Sequence, residues 1–307
     1  MPPEPSGSPA PAYSLRPRLR PLVILGAPRS GTKLLRNLLG QSPHCTVIPY
    51  GINHVWRVGL PQSASDQRPP GDGTADRARQ IRASLLDLAG AHHTPASGYL
   101  VEKTCANTLR VPFVNRVLPD AQFVQILRDG RDAAISAREK WKSPPSLGYL
   151  LGKLRYVPLR NASFLWWYLR NLWRGRIKNG GRVQYWGPRY DGMREDLRAH
   201  SLLRVCAHQW QSCVSTCLDD LSRLSESRVI SLRYESLVSD PSVLDRLIER
   251  LNLPDGNSIR THYDDVVHDR SVGRWRRTLT DSEQQTLSSL LAPTLERVRS
   301  LPTLCTK

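Results

Sequence analysis

The stretch from Pro21 to Gln41, PLVILGAPRSGTKLLRNLLGQ, constrains the fold more than any other part of the sequence. Residues 21–26 are a short apolar run closed by Pro and Gly, the pattern of a strand buried on both faces of a parallel sheet. Apolar residues then recur at helical spacing from about Thr32 to Gln41. Strand, glycine-containing loop and helix in immediate succession are the opening unit of an α/β fold.

The rest of the chain repeats that alternation. Strands are expected at 98–103 (GYLVEK), 121–127 (AQFVQIL) and 228–234 (RVISLRY), and helices at 76–89, 109–118, 131–141, 201–224, 241–251 and from 281. Residues 1–20 are rich in Pro, Ser and Arg without periodicity and read as a flexible basic tail. Residues 61–77 (LPQSASDQRPPGDGTAD) read as a long polar loop, either a lid or disordered. Residues 142–200 interleave aromatic with basic side chains and read as an insertion. From Arg138 to Arg198 there are fourteen Lys/Arg against four Asp/Glu. The expected organisation is therefore a tail over 1–20 and one α/β domain over 21–307, with a mostly parallel sheet flanked by helices and a helical insertion.

Composition narrows the setting. Lys+Arg number 44 against 27 Asp+Glu, a net charge of +17, which favours an anionic ligand or acceptor. No apolar run reaches the length of about 18 residues that a membrane span needs, and the N-terminus lacks an apolar secretory core. The six cysteines form no CxxC pair. Cys206, Cys213 and Cys217 recur at helical spacing as small core residues, and a cytoplasmic, reducing location is expected.

The loop Gly26-Ala-Pro-Arg-Ser-Gly31-Thr32-Lys33 carries the chemistry. Backbone N–H groups and a helix N-terminus present positive charge to a phosphate. The spacing GxxxxG matches a nucleotide-triphosphate loop, but Thr32-Lys33 inverts the Lys-Ser/Thr order that grips phosphate and magnesium. Arg29 is the cation within the loop, so the pattern suits phosphate chemistry without a metal.

PRSGTKLLRNLL resembles the 5′-phosphosulfate loop of sulfotransferases that use 3′-phosphoadenosine-5′-phosphosulfate (PAPS), closest to the protein-tyrosine and bacterial carbohydrate branches. The resemblance implies a three-layer P-loop-type fold and contacts from Pro28, Arg29, Ser30, Gly31, Thr32 and Lys33 to the co-substrate, Lys33 replacing the usual second Thr. Gln125-Ile-Leu-Arg128-Asp-Gly-Arg131-Asp-Ala-Ala-Ile-Ser136 is similar to the family's 3′-phosphate motif, which implies that Arg128 and Ser136 hold that phosphate. Leu232-Arg-Tyr234-Glu-Ser-Leu-Val-Ser-Asp-Pro241 resembles a segment placing Tyr234 near the adenine. Val272-Gly273-Arg274-Trp275-Arg276-Arg277 resembles a basic loop closing over the nucleotide, which implies Gly273, Arg274 and Arg276 as further contacts.

That resemblance implies in-line sulfuryl transfer to an acceptor hydroxyl or amine with release of 3′-phosphoadenosine-5′-phosphate (PAP). Arg29 would stabilise the developing charge, shared with Lys33 or Lys103. The base is not fixed. Lys103-Thr104 is followed by Cys105 where the small-phenol branch has His. His54 is the first candidate, as an imidazole titrating near neutral pH, and Glu102 the second. The basic aromatic stretch favours an acidic glycan as acceptor, with a tyrosine peptide also compatible. A P-loop kinase or NTPase and a basic nucleic-acid-binding module are the competing readings, and nucleic acid is not the expected partner.

Overall fold

The computed structural model describes residues 19–61, 64–90, 98–143, 185–254 and 256–304. Five strands form one sheet: β1 (Leu19–Leu25), β2 (Cys45–Val47), β3 (Gly98–Glu102), β4 (Gln122–Leu127) and β5 (Val229–Arg233). Their order is β2-β3-β1-β4-β5 and every pairing is parallel. Helices α1 (Thr32–Leu39), α2 (Asn53–Trp56), α3 (Ala75–Leu88), α4 (Val111–Val117) and α5 (Gly130–Lys142) belong to the first half. Next come α6 (Met193–Ala199), α7 (Leu202–Leu221) and, after β5, α8 (Tyr234–Ser239) and α9 (Pro241–Arg250). The last three are α10 (Gly256–Val266), α11 (Trp275–Thr278) and α12 (Asp281–Ser300).

Strand periodicity builds the layers. Alternate residues of β1 face opposite sides. Leu22 and Ile24 pack with Leu35 and Leu38 of α1 and with Leu244 and Leu247 of α9. Val23 and Leu25 pack with Ile81 of α3 and Val114 of α4. Beyond the sheet, Trp141 of α5, Trp210 of α7 and Leu291 of α12 share a third core. Cys206, Cys213 and Cys217 lie buried in these cores, and burial pushes the Cys213 and Cys217 thiols up.

Several expectations change. The tail ends earlier: residues 1–18 lie outside the described residues, but Leu19 and Arg20 already pair with Gly98 and Tyr99 in the sheet. Among the described residues the pairings are all parallel, as the fold class expects, and three-residue β2 joins the sheet beyond β3. Helices α8 and α10 were not expected. Most of the insertion, residues 144–184, lies outside the described residues. Its flanks are ordinary structure: Lys142 ends α5, and Trp186 and Tyr190 pack into the third core. Across 64–77 the polar loop is packed against the fold. It carries Asp66 and Arg68 into the interior and runs into α3, whose N-cap Thr74 accepts from the Arg77 amide.

The topology places a site. The chain leaves central β1 toward β2 and β3 on one side, then crosses to β4 and β5 on the other. Ligands bind at the carboxyl ends of strands at such a switch point. The loops after β1, β3, β4 and β5 carry Arg29, Lys103, Arg128 and Tyr234.

Candidate active site

The loop after β1 holds its shape through close approaches. A Cβ on Gly26 would lie 2.7 Å from the Thr32 methyl and 2.8 Å from the Ile126 carbonyl oxygen. Gly31 has φ +89°, and a Cβ there would run into the Tyr234 ring. Arg29 also has positive φ, 69°, without being glycine. That conformation costs about 1–3 kcal/mol and is strain of the kind found at functional sites. Gly31 is the N-cap of α1 and no side chain caps the helix, so its first-turn amides face outward at the positive end of the helix dipole.

Two guanidinium groups converge on this loop. Arg128, at the end of β4, donates from Nη1 to the Arg29 carbonyl at 2.8 Å and from Nη2 to the Ser271 carbonyl at 2.7 Å. It stacks on Tyr234, 4.3 Å from the ring centre, whose hydroxyl pairs with Ser271 Oγ at 2.7 Å. Arg29 Nε donates to Ser136 Oγ of α5 at 2.8 Å. Desolvation, then the Arg128 charge, lowers the Arg29 pKa from its ordinary value. Ser30 Oγ and Arg128 Nε are buried without a hydrogen-bond partner among the described residues. Two like charges, open amides and unpaired polar atoms together make an environment completed by an anion.

The 268–277 loop is fastened to the same place. Asp132 accepts from the Gly273 amide at 2.7 Å through one oxygen and from the Trp275 amide at 2.8 Å through the other. Arg131 and Arg276 both stack on Trp275, at 3.8 and 4.7 Å. Arg274 pairs with Glu139. Glu235 accepts from the Asp129 amide at 2.9 Å, and burial pushes its carboxyl up. Sequence reasoning named Gly273, Arg274 and Arg276 but missed Asp132, Ser271 and Glu235, although Asp132 and Glu235 lie inside the motifs it used.

The remaining expected residues divide. Thr32 faces inward, its Oγ1 3.6 Å from Cys105 Sγ, and Pro28 is buried in the loop. Lys33 is exposed on α1, one residue around the helix from Thr32. Lys103 is half-buried at the end of β3, where Ile52 N donates to Thr104 Oγ1 at 3.0 Å. That bond brings the segment before α2, and hence His54, to the carboxyl edge of the sheet. His54 lines a small apolar recess with Ile48, Tyr50 and Leu88. Glu102 is a correction. Its side chain is buried and accepts from Trp56 Nε1 at 3.2 Å and Asn107 Nδ2 at 3.0 Å, and burial pushes its carboxyl up. Strand alternation turns it into the packed interior, where it holds Trp56 and Asn107.

A polar core beside α2 was also missed. Asp66 is fully buried, with Arg57 Nη1 at 2.5 Å and Arg110 Nη1 at 3.8 Å, and accepts from the Arg189 amide at 2.8 Å. Desolvation pushes the carboxyl up, but the Arg110, Arg57 and Arg189 charges outweigh it and hold the pKa below the usual value. Asn53, next to His54, bridges Asp66 and Arg110.

The family model for the sulfotransferase family matches residues 21–145. Over those residues the chain is similar to that family. The matched segment holds most of β1, the Arg29 loop, β3, β4 and the Arg128–Ser136 motif. Protein-tyrosine sulfotransferase 1 from Danio rerio is 32% identical over 121 residues, covering 36% of this chain and 33% of the relative. The Homo sapiens protein of that name is equally identical over 121 residues, with 32% of its length covered. The match thus spans about a third of these relatives. A sulfotransferase structure from Alicyclobacillus acidocaldarius is 17% identical, covering 92% of this chain and 95% of that one, at a TM-score of 0.49.

Proposed function

We propose that this chain transfers a sulfuryl group from PAPS to an acceptor hydroxyl and releases PAP. The observation that carries the reading is the convergence of Arg29 and Arg128 on a loop whose Ser30 hydroxyl is buried and unpaired. PAPS fits these residues: the loop amides with Arg29, Ser30 and Thr32 suit the 5′ phosphosulfate end, and Arg128 with Ser136 suits the 3′-phosphate.

When bound, the co-substrate supplies an electrophilic sulfur and a phosphate leaving group; the S–O bond to that phosphate breaks as the acceptor oxygen bonds to sulfur. Arg29 neutralises negative charge developing at that end, where a preorganised cation acts strongly. Arg128 and the Asp132-fastened 268–277 loop hold the nucleotide in register, and orientation of this kind contributes a large share of such rate enhancements. His54 is proposed to take the acceptor proton, since its segment reaches the carboxyl edge beside Lys103. Lys103 and the exposed Lys33 are proposed as auxiliary cations. Arg274 and Arg276 are proposed to border the nucleotide on the loop that Asp132 holds.

The acceptor reading is a glycan hydroxyl, drawn from the basic aromatic stretch over 142–200. A tyrosine hydroxyl is the second reading, favoured by the names of the curated relatives. The matched residues carry mainly the nucleotide loops, so the choice rests on an acceptor assay. Thermal shift with PAP and with ATP plus magnesium comes first, then sulfate transfer from labelled PAPS to sulfated glycans and to acidic tyrosine peptides. Stabilisation by PAP alone, by roughly 2.7 kcal/mol at a hundred times its dissociation constant, supports the reading. Stabilisation by ATP with magnesium instead overturns it.

A further inference from the structure

We propose that Asp196, His200 and His208 form a binding site for a divalent transition-metal ion, zinc foremost, that ties α6 to α7. The site lies outside the nucleotide-binding loops. Asp196 is on α6 and His200 follows it by four residues at the helix end, so both side chains lie on one face. His208 comes from the second turn of α7. Asp196 Oδ2 is 2.6 Å from His208 Nδ1, and Asp196 Oδ1 is 3.8 Å from His200 Nε2. The two imidazoles meet edge to face with centres 5.5 Å apart. One ligand atom from each of the three residues lies within 4.8 Å of the others.

These separations suit an ion. Zinc takes imidazole nitrogen and carboxylate oxygen at about 2.0–2.2 Å, so its ligand atoms stand roughly 3.3 Å apart in a tetrahedron. The observed 2.6 and 3.8 Å run to the two oxygens of the carboxylate, and with one ligand atom from each residue the set lies within 4.8 Å, a spacing that side-chain rotation can close onto an ion. Two nitrogen donors and one oxygen favour zinc, cobalt or nickel over magnesium and calcium, which take oxygen. Both imidazoles converge on one carboxylate, His208 on Oδ2 and His200 on Oδ1. The carboxylate also has an outer partner: the Tyr190 hydroxyl donates to Asp196 Oδ2 at 2.6 Å. Hydrogen-bonded carboxylates of this type orient metal ligands. The three side chains are 19–28% exposed, open enough for an ion to enter. His200 also borders a cleft of about 340 Å³ with Ser201, Glu283 and Thr286, which leaves room for a water as the fourth ligand.

The test uses the untagged full chain, stripped of metal and kept reduced. Calorimetric titration with Zn²⁺ should show one equivalent bound at micromolar or lower Kd. Co²⁺ should give visible absorption of four-coordinate intensity, and Zn²⁺ should raise the thermal midpoint. His200→Ala and His208→Ala should each weaken Zn²⁺ binding at least tenfold and abolish the Co²⁺ bands, and Tyr190→Phe should weaken it about tenfold. Far-UV circular dichroism checks folding; if His208→Ala does not fold, His200→Ala at the helix end decides. Millimolar Zn²⁺ affinity, or tight binding that His200→Ala retains, overturns the proposal.

Discussion

Arg29 Nε donates to Ser136 Oγ at 2.8 Å, joining the loop after β1 to α5 across 107 residues of sequence. The bond holds the Arg29 side chain over the loop while its backbone stays at a strained positive φ. A residue kept in that conformation against a cost of about 1–3 kcal/mol is held there by its surroundings. The charge it delivers lies next to that of Arg128.

Arg29→Ala is therefore expected to cut sulfate transfer by about 10²–10³-fold, the usual cost of removing one preorganised charge-stabilising group. Arg29→Gly should lose as much activity and unfold at no lower temperature, because glycine adopts positive φ freely. Turnover assays with labelled PAPS and thermal melts check both. Retained turnover in either variant removes Arg29 from the proposed role.

Arg128→Ala should chiefly weaken nucleotide binding. It removes a fork that spans the Arg29 and Ser271 carbonyls and stacks on Tyr234. Charge-assisted bonds of this kind contribute about 1.5–3 kcal/mol, roughly 10–150-fold in affinity. The loss should be larger for PAP than for 5′-AMP, which lacks the 3′-phosphate, so the ratio of the two affinities falls. Arg128→Lys should be intermediate, since a point charge cannot bridge both carbonyls. Calorimetry with both nucleotides measures the ratio, and an unchanged ratio refutes the assignment.

Asp132→Ala should loosen the 268–277 loop. It strands the Gly273 and Trp275 amides, at about 1–3 kcal/mol for each buried group left unpaired. Faster hydrogen exchange at those two amides and a KM for PAPS raised more than kcat falls are the expected readouts. Burial pushes the Asp132 carboxyl up, more than its two amide bonds pull it down. The folded chain then holds this proton more tightly than the unfolded one just above the ordinary Asp value of about 3.9, so this group's contribution to stability falls as pH rises through that window. Asp132→Asn should flatten that part of the stability profile in denaturant titrations.

The pattern of what was legible follows the range of the interactions. β1, its loop and α1 are read from adjacent residues, as is Arg128 where apolar β4 stops. β2 was invisible because three residues carry too little periodicity, and its pairing with Tyr99, Leu100 and Val101 defines it. Lys33 shows what the motif leaves open. The motif implies phosphate contact but not its direction: the 100° step per helical residue turns Lys33 outward while Thr32, Leu35 and Leu39 face in. Glu102 reads as a strand-end carboxylate until Trp56 and Asn107, one of them 46 residues away, close over it. Asp66 sat in a stretch whose Pro, Gly and Ser content marks a loop, and nothing local shows that it meets Arg110 and Arg189.

That Asp66 cluster gives the most demanding prediction for folding. Arg57 and Arg110 are buried beside one carboxylate, and Arg189 adds a third cation at its margin. Asp66→Asn leaves these charges uncompensated, and breaking a buried ion pair from one side typically costs about 3–5 kcal/mol. At about 2–4 °C per kcal/mol for large domains, the thermal midpoint should fall on the order of ten degrees. The acid limb carries the sign. The folded-state pKa lies below the usual Asp value, so this carboxylate stabilises the fold above that value, and the contribution is lost as pH falls through the folded-state pKa. Wild type should therefore lose stability in that acidic window more steeply than Asp66→Asn in parallel denaturant titrations. Because Asn53 bridges Asp66 and Arg110 beside His54, the variant should also lose turnover at temperatures where circular dichroism still shows it folded. A midpoint unchanged by Asp66→Asn would show that water or local rearrangement neutralises these arginines, and the cluster would then have no part in holding α2 against the sheet.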